Sequence, residues 1–253
     1  MNPAEFANIA RSEHDFWWYR GMREILFRFL DPAIDGRKLT RVLEAGCGTG
    51  YFSRLMQTER RWPVAPVDIS WDGLAYARKM GVERAAQADI RRLPFAAGAF
   101  DLVLSIDVLP HLPPGEEERA ICEFARVLAP GGLLVIRAAA LDVLRSRHSE
   151  FAFERQRFTR RRLTRAVEGA GLRVRRCTYL NSLLLPVALA KFRVWEPLAR
   201  RPAASGVEPV AAWLDSLLYA ALAMEARWIG AGCNFAAGQS LLLLGEKACS
   251  FVR

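Results

Sequence analysis

Three glycines at alternate positions, Gly46, Gly48 and Gly50, sit in the run Val42-Leu43-Glu44-Ala45-Gly46-Cys47-Gly48-Thr49-Gly50-Tyr51-Phe52. An apolar strand that passes through such residues into a helix offers main-chain N–H groups that no Cβ shields, which is the chemistry of nucleotide binding. A nicotinamide fingerprint, G-x-G-x-x-G, would need glycine where Tyr51 stands, so the spacing speaks against that dinucleotide. Asp68, in Val67-Asp68-Ile69-Ser70, puts a carboxylate at the carboxyl end of the next strand, about 20 residues after the loop, where ribose hydroxyls can donate to it. Ala88-Asp89-Ile90 repeats an acid flanked by apolar residues one strand later. The groups able to move a proton near neutral pH are three histidines, His14, His111 and His148. His148 is the leading catalytic candidate, because the loop after a fifth strand overhangs the pocket of an α/β sheet. His111, after Ser105-Ile106-Asp107-Val108-Leu109-Pro110, is the second, with helix capping as its alternative.

Short apolar runs alternate with helical stretches from about residue 40 to 180, the pattern of a parallel sheet covered on both faces. Strands are predicted at 41–46, 64–68, 84–88, 101–107, 132–138 and 172–179, and helices at 50–60, 71–80, 116–128 and 159–170. A last strand, 239–247, closes the sheet after an insertion of roughly 181–236. Within it, 183–190 carries Pro186 and is too short to span a bilayer. The run 210–229 is long enough but is interrupted by Asp215, Glu225 and Arg227, which predicts an amphipathic cap helix, with a membrane-surface helix as the alternative. The expected organisation is one domain over 1–253, with a core of about 38–180 and 237–248 and cap segments of about 1–30, 140–158 and 181–236.

The apolar share of 52% and charged share of 25% are those of a globular protein. Five cysteines, odd in number and without close pairing, suggest neither a disulfide frame nor a zinc site, and no metal is expected. The net charge of +9 comes almost entirely from arginine, a usage that resembles the codon bias of a GC-rich bacterial genome. Eleven of those arginines lie between Arg145 and Arg176, interleaved with Phe151, Phe153 and Phe158. A solvated helix face is preferred there to an anion grip, and a nucleic-acid partner, which needs stacked aromatics as well as charge, is disfavoured. Arg11, Glu13, His14, Asp15 and Arg20 break the order of a secretory signal, so a cytoplasmic protein is expected.

The succession of glycine loop, Asp68, Asp89, Leu93-Pro94-Phe95 and Phe100-Asp101-Leu102-Val103 resembles the bacterial class I, S-adenosylmethionine-dependent (SAM-dependent) methyltransferases of the broad type 11 group, over residues 41–138. The resemblance implies a Rossmann-like, doubly wound α/β fold of seven mostly parallel strands with an antiparallel last strand. It also implies SAM as the methyl donor, leaving S-adenosyl-L-homocysteine. By position, Gly46, Gly48 and Gly50 would form the cofactor loop, Asp68 would hold the ribose, and Asp89 would accept from the adenine amino group between Ile69 and Ile90. Glu44 stands where the family often has aspartate and is expected near the methionine portion, with Ser105 at the end of the fourth strand. Pro110 replaces the glutamate usual in related sequences. The flanks, His14-Asp15-Phe16-Trp17-Trp18-Tyr19-Arg20-Gly21 among them, resemble one subgroup whose acceptors are largely unassigned. Trp17, Trp18 and Tyr19 are expected to fold over the ligand, with Tyr19 and Arg20 toward the SAM carboxylate.

Methyl transfer from a sulfonium is an in-line displacement that needs alignment in a dry cavity, and a base only where the acceptor arrives protonated. The leading expectation is a small-molecule acceptor, apolar or ring-bearing, in secondary metabolism or glycan modification. The competing readings are a lipid or quinone methyltransferase resting its 210–229 helix on a membrane, a SAM-binding partner protein without turnover, and a nicotinamide oxidoreductase. Amino-group methylators of bases and glutamine often carry an Asn/Asp-Pro-Pro-aromatic tetrapeptide, whereas Asp107 precedes Val-Leu-Pro here. That target class is disfavoured.

Overall fold

Seven strands, β1 (Val42–Ala45), β2 (Val64–Asp68), β3 (Ala86–Gln87), β4 (Phe100–Ile106), β5 (Leu128–Ala139), β6 (Leu172–Leu180) and β7 (Ser240–Lys247), form one sheet in the order β3-β2-β1-β4-β5-β7-β6. The computed structural model describes residues 1–199, 202–207 and 210–249. β1 to β5 pair in parallel, and β7 lies antiparallel to both β5 and β6. This is the Rossmann-like order the resemblance implied, with the reversed strand last in sequence. Both faces are covered, which is why the central strands read as nearly unbroken apolar runs. Leu43, Val103, Leu134 and Ile136 pack with Ile121 and Phe124 of α5 (Glu116–Val127) and with Leu163 and Val167 of α7 (Arg160–Gly169). Their alternates, Val42, Leu102, Leu104 and Val135, pack with Met22, Leu26 and Leu30 of α2 (Trp17–Ile34) and with Met56 of α3 (Tyr51–Glu59).

Local signals start the helices. Ser70 caps α4 (Trp71–Lys79) by accepting from Gly73 N–H, and Thr159 caps α7 by accepting from Arg162 N–H. Three glutamates in the first turn of α5 oppose its macrodipole. The strand expected at 84–88 shrinks to two residues. Carbonyls of Pro63 and Val67 point to β1, so the intervening Pro66 faces β3, where it has no N–H to donate. β5 starts four residues earlier than expected, across the turn at Pro130-Gly131.

Further helices lie before β1 and in the stretches after β5 and after β6. α1 (Pro3–Ser12) lies across α4, and α6 (Arg147–Phe151) follows β5. After β6 come α8 (Leu185–Ala190), a π-helical turn at Lys191–Trp195, α9 (Glu196–Ala199) and α10 (Ala212–Gly230). α10 packs along α2, where a Cβ on Gly21 would meet Leu222 in its own space. Arg20 reaches Asp215 of α10 at 2.6 Å and stacks 4.4 Å from the Tyr219 ring. Glu225, fully buried on α10, accepts from the N–H groups of Asn181, Ser182 and Leu183 and so holds the turn after β6. The stretch expected as an amphipathic cap helix is therefore a helix joined to the N-terminal segment. No helix among the described residues is long and apolar enough to cross a membrane.

Candidate cofactor and acceptor site

The glycine loop leaves β1 with Gly46, Gly48 and Gly50 all at positive φ, 95°, 52° and 78°. Gly46 and Cys47 donate to Val67 O at 2.8 and 2.9 Å, which fastens the loop to β2. A Cβ on Gly46 would lie 2.9 Å from Val108 Cγ1 and closer still to Cγ2, so the segment after β4 presses directly on the loop. Asp68 completes the turn: its Oδ2 accepts from Gly48 N–H and its Oδ1 from Ser70 N–H, both at 2.8 Å. Burial raises the Asp68 carboxyl above its ordinary value against those two bonds. Loop, acid and helix start are thus one hydrogen-bonded unit.

Two further carboxyls stand beside the loop. Glu44 is 3% exposed, accepts from Ser53 Oγ of α3, and is pushed up to about 8 by burial, with the nearby charges of Asp68 and Glu13 acting in the same direction. Glu13 accepts from Thr49 Oγ1 at 2.5 Å, and burial pushes it up to about 7. Its other oxygen, Oε1, is buried without a partner, as is the Oγ of Ser105 on β4. A buried oxygen that accepts from nothing carries an unmet desolvation cost. Glu13 was missed by the sequence reading because its partner lies 36 residues away.

Aromatic and charged residues gather at the carboxyl ends of β4 and β5. Asp107, at φ 57°, accepts from Arg137 Nε at 3.0 Å and Nη2 at 2.5 Å. Trp18 stacks 5.0 Å from the Arg137 guanidinium and meets Tyr19 edge-on at 5.1 Å. Burial raises the Tyr19 hydroxyl far above its ordinary value, with the charges of Glu13, Glu5 and Asp107 adding to the effect and that of Arg137 opposing it. Arg137 and Asp107 were also missed, although a lone arginine in Leu133-Leu134-Val135-Ile136-Arg137-Ala138 was a readable signal.

The remaining predicted residues are spread around this centre. Arg20 is paired with Asp215. Both oxygens of Asp89 accept from Arg91 at 2.6–3.0 Å, and this pairing holds the carboxyl below its ordinary value. Ile69 is 60% exposed and presents a free apolar face, whereas Ile90 belongs to the core. His148 Nδ1 accepts from Gly206 N–H at 3.0 Å and lies 3.7 Å from Glu5 Oε1, which also accepts from Ser205 Oγ at 3.0 Å. With Nδ1 an acceptor, the neutral ring carries its proton on Nε2, so proton abstraction requires release of Gly206. His111 Nδ1 is 3.4 Å from Phe153 O, and burial lowers its basicity.

The covering element is α1. Its Phe6 is buried, with Cε1 3.8 Å from where a Cβ on Gly48 would stand and 2.9 Å from where one on Gly73 would. Asn2 Nδ2 donates to Phe151 O at 2.9 Å, tying α1 to α6. The basic stretch is largely structural: Arg147 donates to Pro202 O, Arg157 to Ala140 O, Arg160 to Phe235 O and Arg176 to Cys233 O. Arg161 and Arg165 line a shallow surface cleft of about 660 Å³ along α7.

This strand order, with a glycine loop on β1 and an acid closing β2, is a Rossmann-like arrangement in which β7 is the reversed strand. The family described as "Methyltransferase domain" matches residues 43–136. A malonyl-[acyl-carrier protein] O-methyltransferase of Enterobacter lignolyticus is 36% identical over 112 residues, 44% of this chain and 43% of that protein. A 2-methyl-6-phytyl-1,4-hydroquinone methyltransferase of Synechocystis is 33% identical over 103 residues, 38% of this chain and 31% of that protein. The matched segment thus spans less than half the length of these relatives. In fold, the chain is similar to a SAM dependent methyltransferase from Archaeoglobus fulgidus, at TM-score 0.59 and 19% identity over 93% of this chain and 97% of that one.

Proposed function

We propose that the chain is a SAM-dependent methyltransferase that passes a methyl group to a small-molecule acceptor, and that residues 1–253 act as one catalytic unit with its cap. The observation that carries this reading is the closed turn at β1, in which three glycines at positive φ meet an acid from β2 through the Gly48 N–H. The residues fit the cofactor. Asp68 would take the ribose hydroxyls, Ile69 one face of the adenine and Asp89 its amino group, while the partnerless oxygens of Glu13 and Ser105 stand beside the loop for polar groups of the methionine portion. SAM supplies an electrophilic methyl on a sulfonium. The chain's own residues align the acceptor and keep water out under α1 and Trp18. His148 is the proposed base for an acceptor that arrives protonated, acting once Gly206 is released. An apolar or ring-bearing acceptor accords with Trp18 and Tyr19 beside Arg137, and a secondary-metabolic role is part of the same proposal.

Titration calorimetry with SAM tests the reading. Asp68→Ala is expected to weaken binding at least tenfold, about 1.4 kcal/mol. Unchanged affinity removes the ribose assignment, and no binding to the wild-type protein removes the function. One observation favours a membrane-surface variant of this reading: Trp213, Leu217, Met224 and Trp228 stand exposed at helical spacing along α10. Sedimentation with anionic liposomes separates it, because a protein that stays in the supernatant has no such docking face.

A further inference from the structure

Arg137 is the one charged residue in the inward run of β5, and its side chain is 5% exposed. Arginine is rarely so buried unless every donor is used. Here two are used: Nε and Nη2 both donate to a single oxygen, Asp107 Oδ2. Nη1 is buried with no partner. Asp107 is one-third exposed and its Oδ1 takes no bond from Arg137, so the unmet donor of the guanidinium is Nη1. Nothing in the packing requires a charge there, because the paired positions on β4 and β7, Ile106 and Leu242, are apolar.

Its place in the sheet separates it from the cofactor loop. β5 is two strands from β1, and strands stand about 4.8 Å apart, so Arg137 lies about 10 Å to the side of the glycines. Between them is the segment after β4, whose Val108 packs against Gly46. The geometry points to Arg137 as the anchor of the methyl acceptor, holding an anionic oxygen pair, a carboxylate, on the free Nη1 edge. The guanidinium's planar fork suits a carboxylate, and the Asp107 pairing fixes its plane. Trp18, stacked over the same guanidinium, supplies an apolar wall beside the anion. The acceptor class is therefore a carboxylate carried on an apolar or aryl body. This rests on the methyltransferase reading of the same site.

The test uses the full chain, as wild type, R137K and R137Q, with three kinds of probe. S-adenosylhomocysteine and 5′-methylthioadenosine, which lacks the amino-acid portion, are titrated first; both variants are expected to bind each within about twofold of wild type. The S-adenosylhomocysteine-loaded proteins are then titrated with benzoate and hexanoate against benzamide and hexanamide. Wild type is expected to prefer the carboxylates by at least about tenfold, R137Q to lose the preference, and R137K, which keeps the charge without the fork, to retain a fraction of it. A tenfold loss of S-adenosylhomocysteine affinity with methylthioadenosine unchanged overturns the proposal, because the guanidinium then holds the cofactor's own carboxylate. A carboxylate preference that survives in R137Q, or no carboxylate binding by the loaded wild type at about 100 mM, overturns it as well. Failure of wild type to bind S-adenosylhomocysteine sinks the methyltransferase reading instead. Should R137Q not fold, R137K carries the comparison.

Discussion

Gly46→Ala is expected to damage the protein at the point where β1, the cofactor loop and the segment after β4 meet. Gly46 holds φ at 95°, and an alanine forced into such backbone costs about 1–2 kcal/mol. The added methyl would stand 2.9 Å from Val108 Cγ1 and nearer to Cγ2, and overpacking of this kind costs about 1–3 kcal/mol. The sum, about 3 kcal/mol, corresponds to a fall in Tm of about 6–12 °C for a chain of this size. Val108→Ala removes the obstacle but not the backbone strain, so the two substitutions are expected to couple. The double variant should be less destabilised than the summed single variants by about 1–3 kcal/mol. Urea unfolding followed by tryptophan fluorescence, run on all four proteins, measures this directly. A Gly46→Ala cost below about 1 kcal/mol, or additivity with Val108→Ala, would refute the account of the loop as a packed cradle.

Glu44 gives a pH prediction. Its folded-state value of about 8 stands above the ordinary 4.5, so between those values the folded protein holds a proton that the unfolded chain has released. Stability therefore falls as pH rises from about 4.5 to about 8, and Glu13 adds to the fall up to about 7. Glu44→Gln is expected to gain on wild type in melting temperature across that window, and parallel curves would return Glu44 to an ordinary carboxylate. His148→Ala is expected to slow turnover on the true acceptor at unchanged S-adenosylhomocysteine affinity, and full activity would leave the ring only its contacts with Gly206 and Glu5.

What a stretch of a few residues can encode was readable in the chain. The glycine loop, the acid of β2 and the apolar runs of the strands each depend on backbone freedom or periodicity within one element. They sufficed for the parallel strands, while the antiparallel last strand was implied by the family resemblance. β3 fell short for a reason outside its own segment, the missing N–H of Pro66 on β2. The tertiary structure decided everything that joins distant elements. Thr49 meets Glu13 across 36 residues, Arg20 meets Asp215 across 195, and Arg137 is set by Asp107 from a neighbouring strand and Trp18 from a helix. It also turned arginines that looked like a solvated face into donors to backbone carbonyls of the cap. Such pairings depend on which helix the sheet carries above which strand end, and no pattern confined to one segment records that.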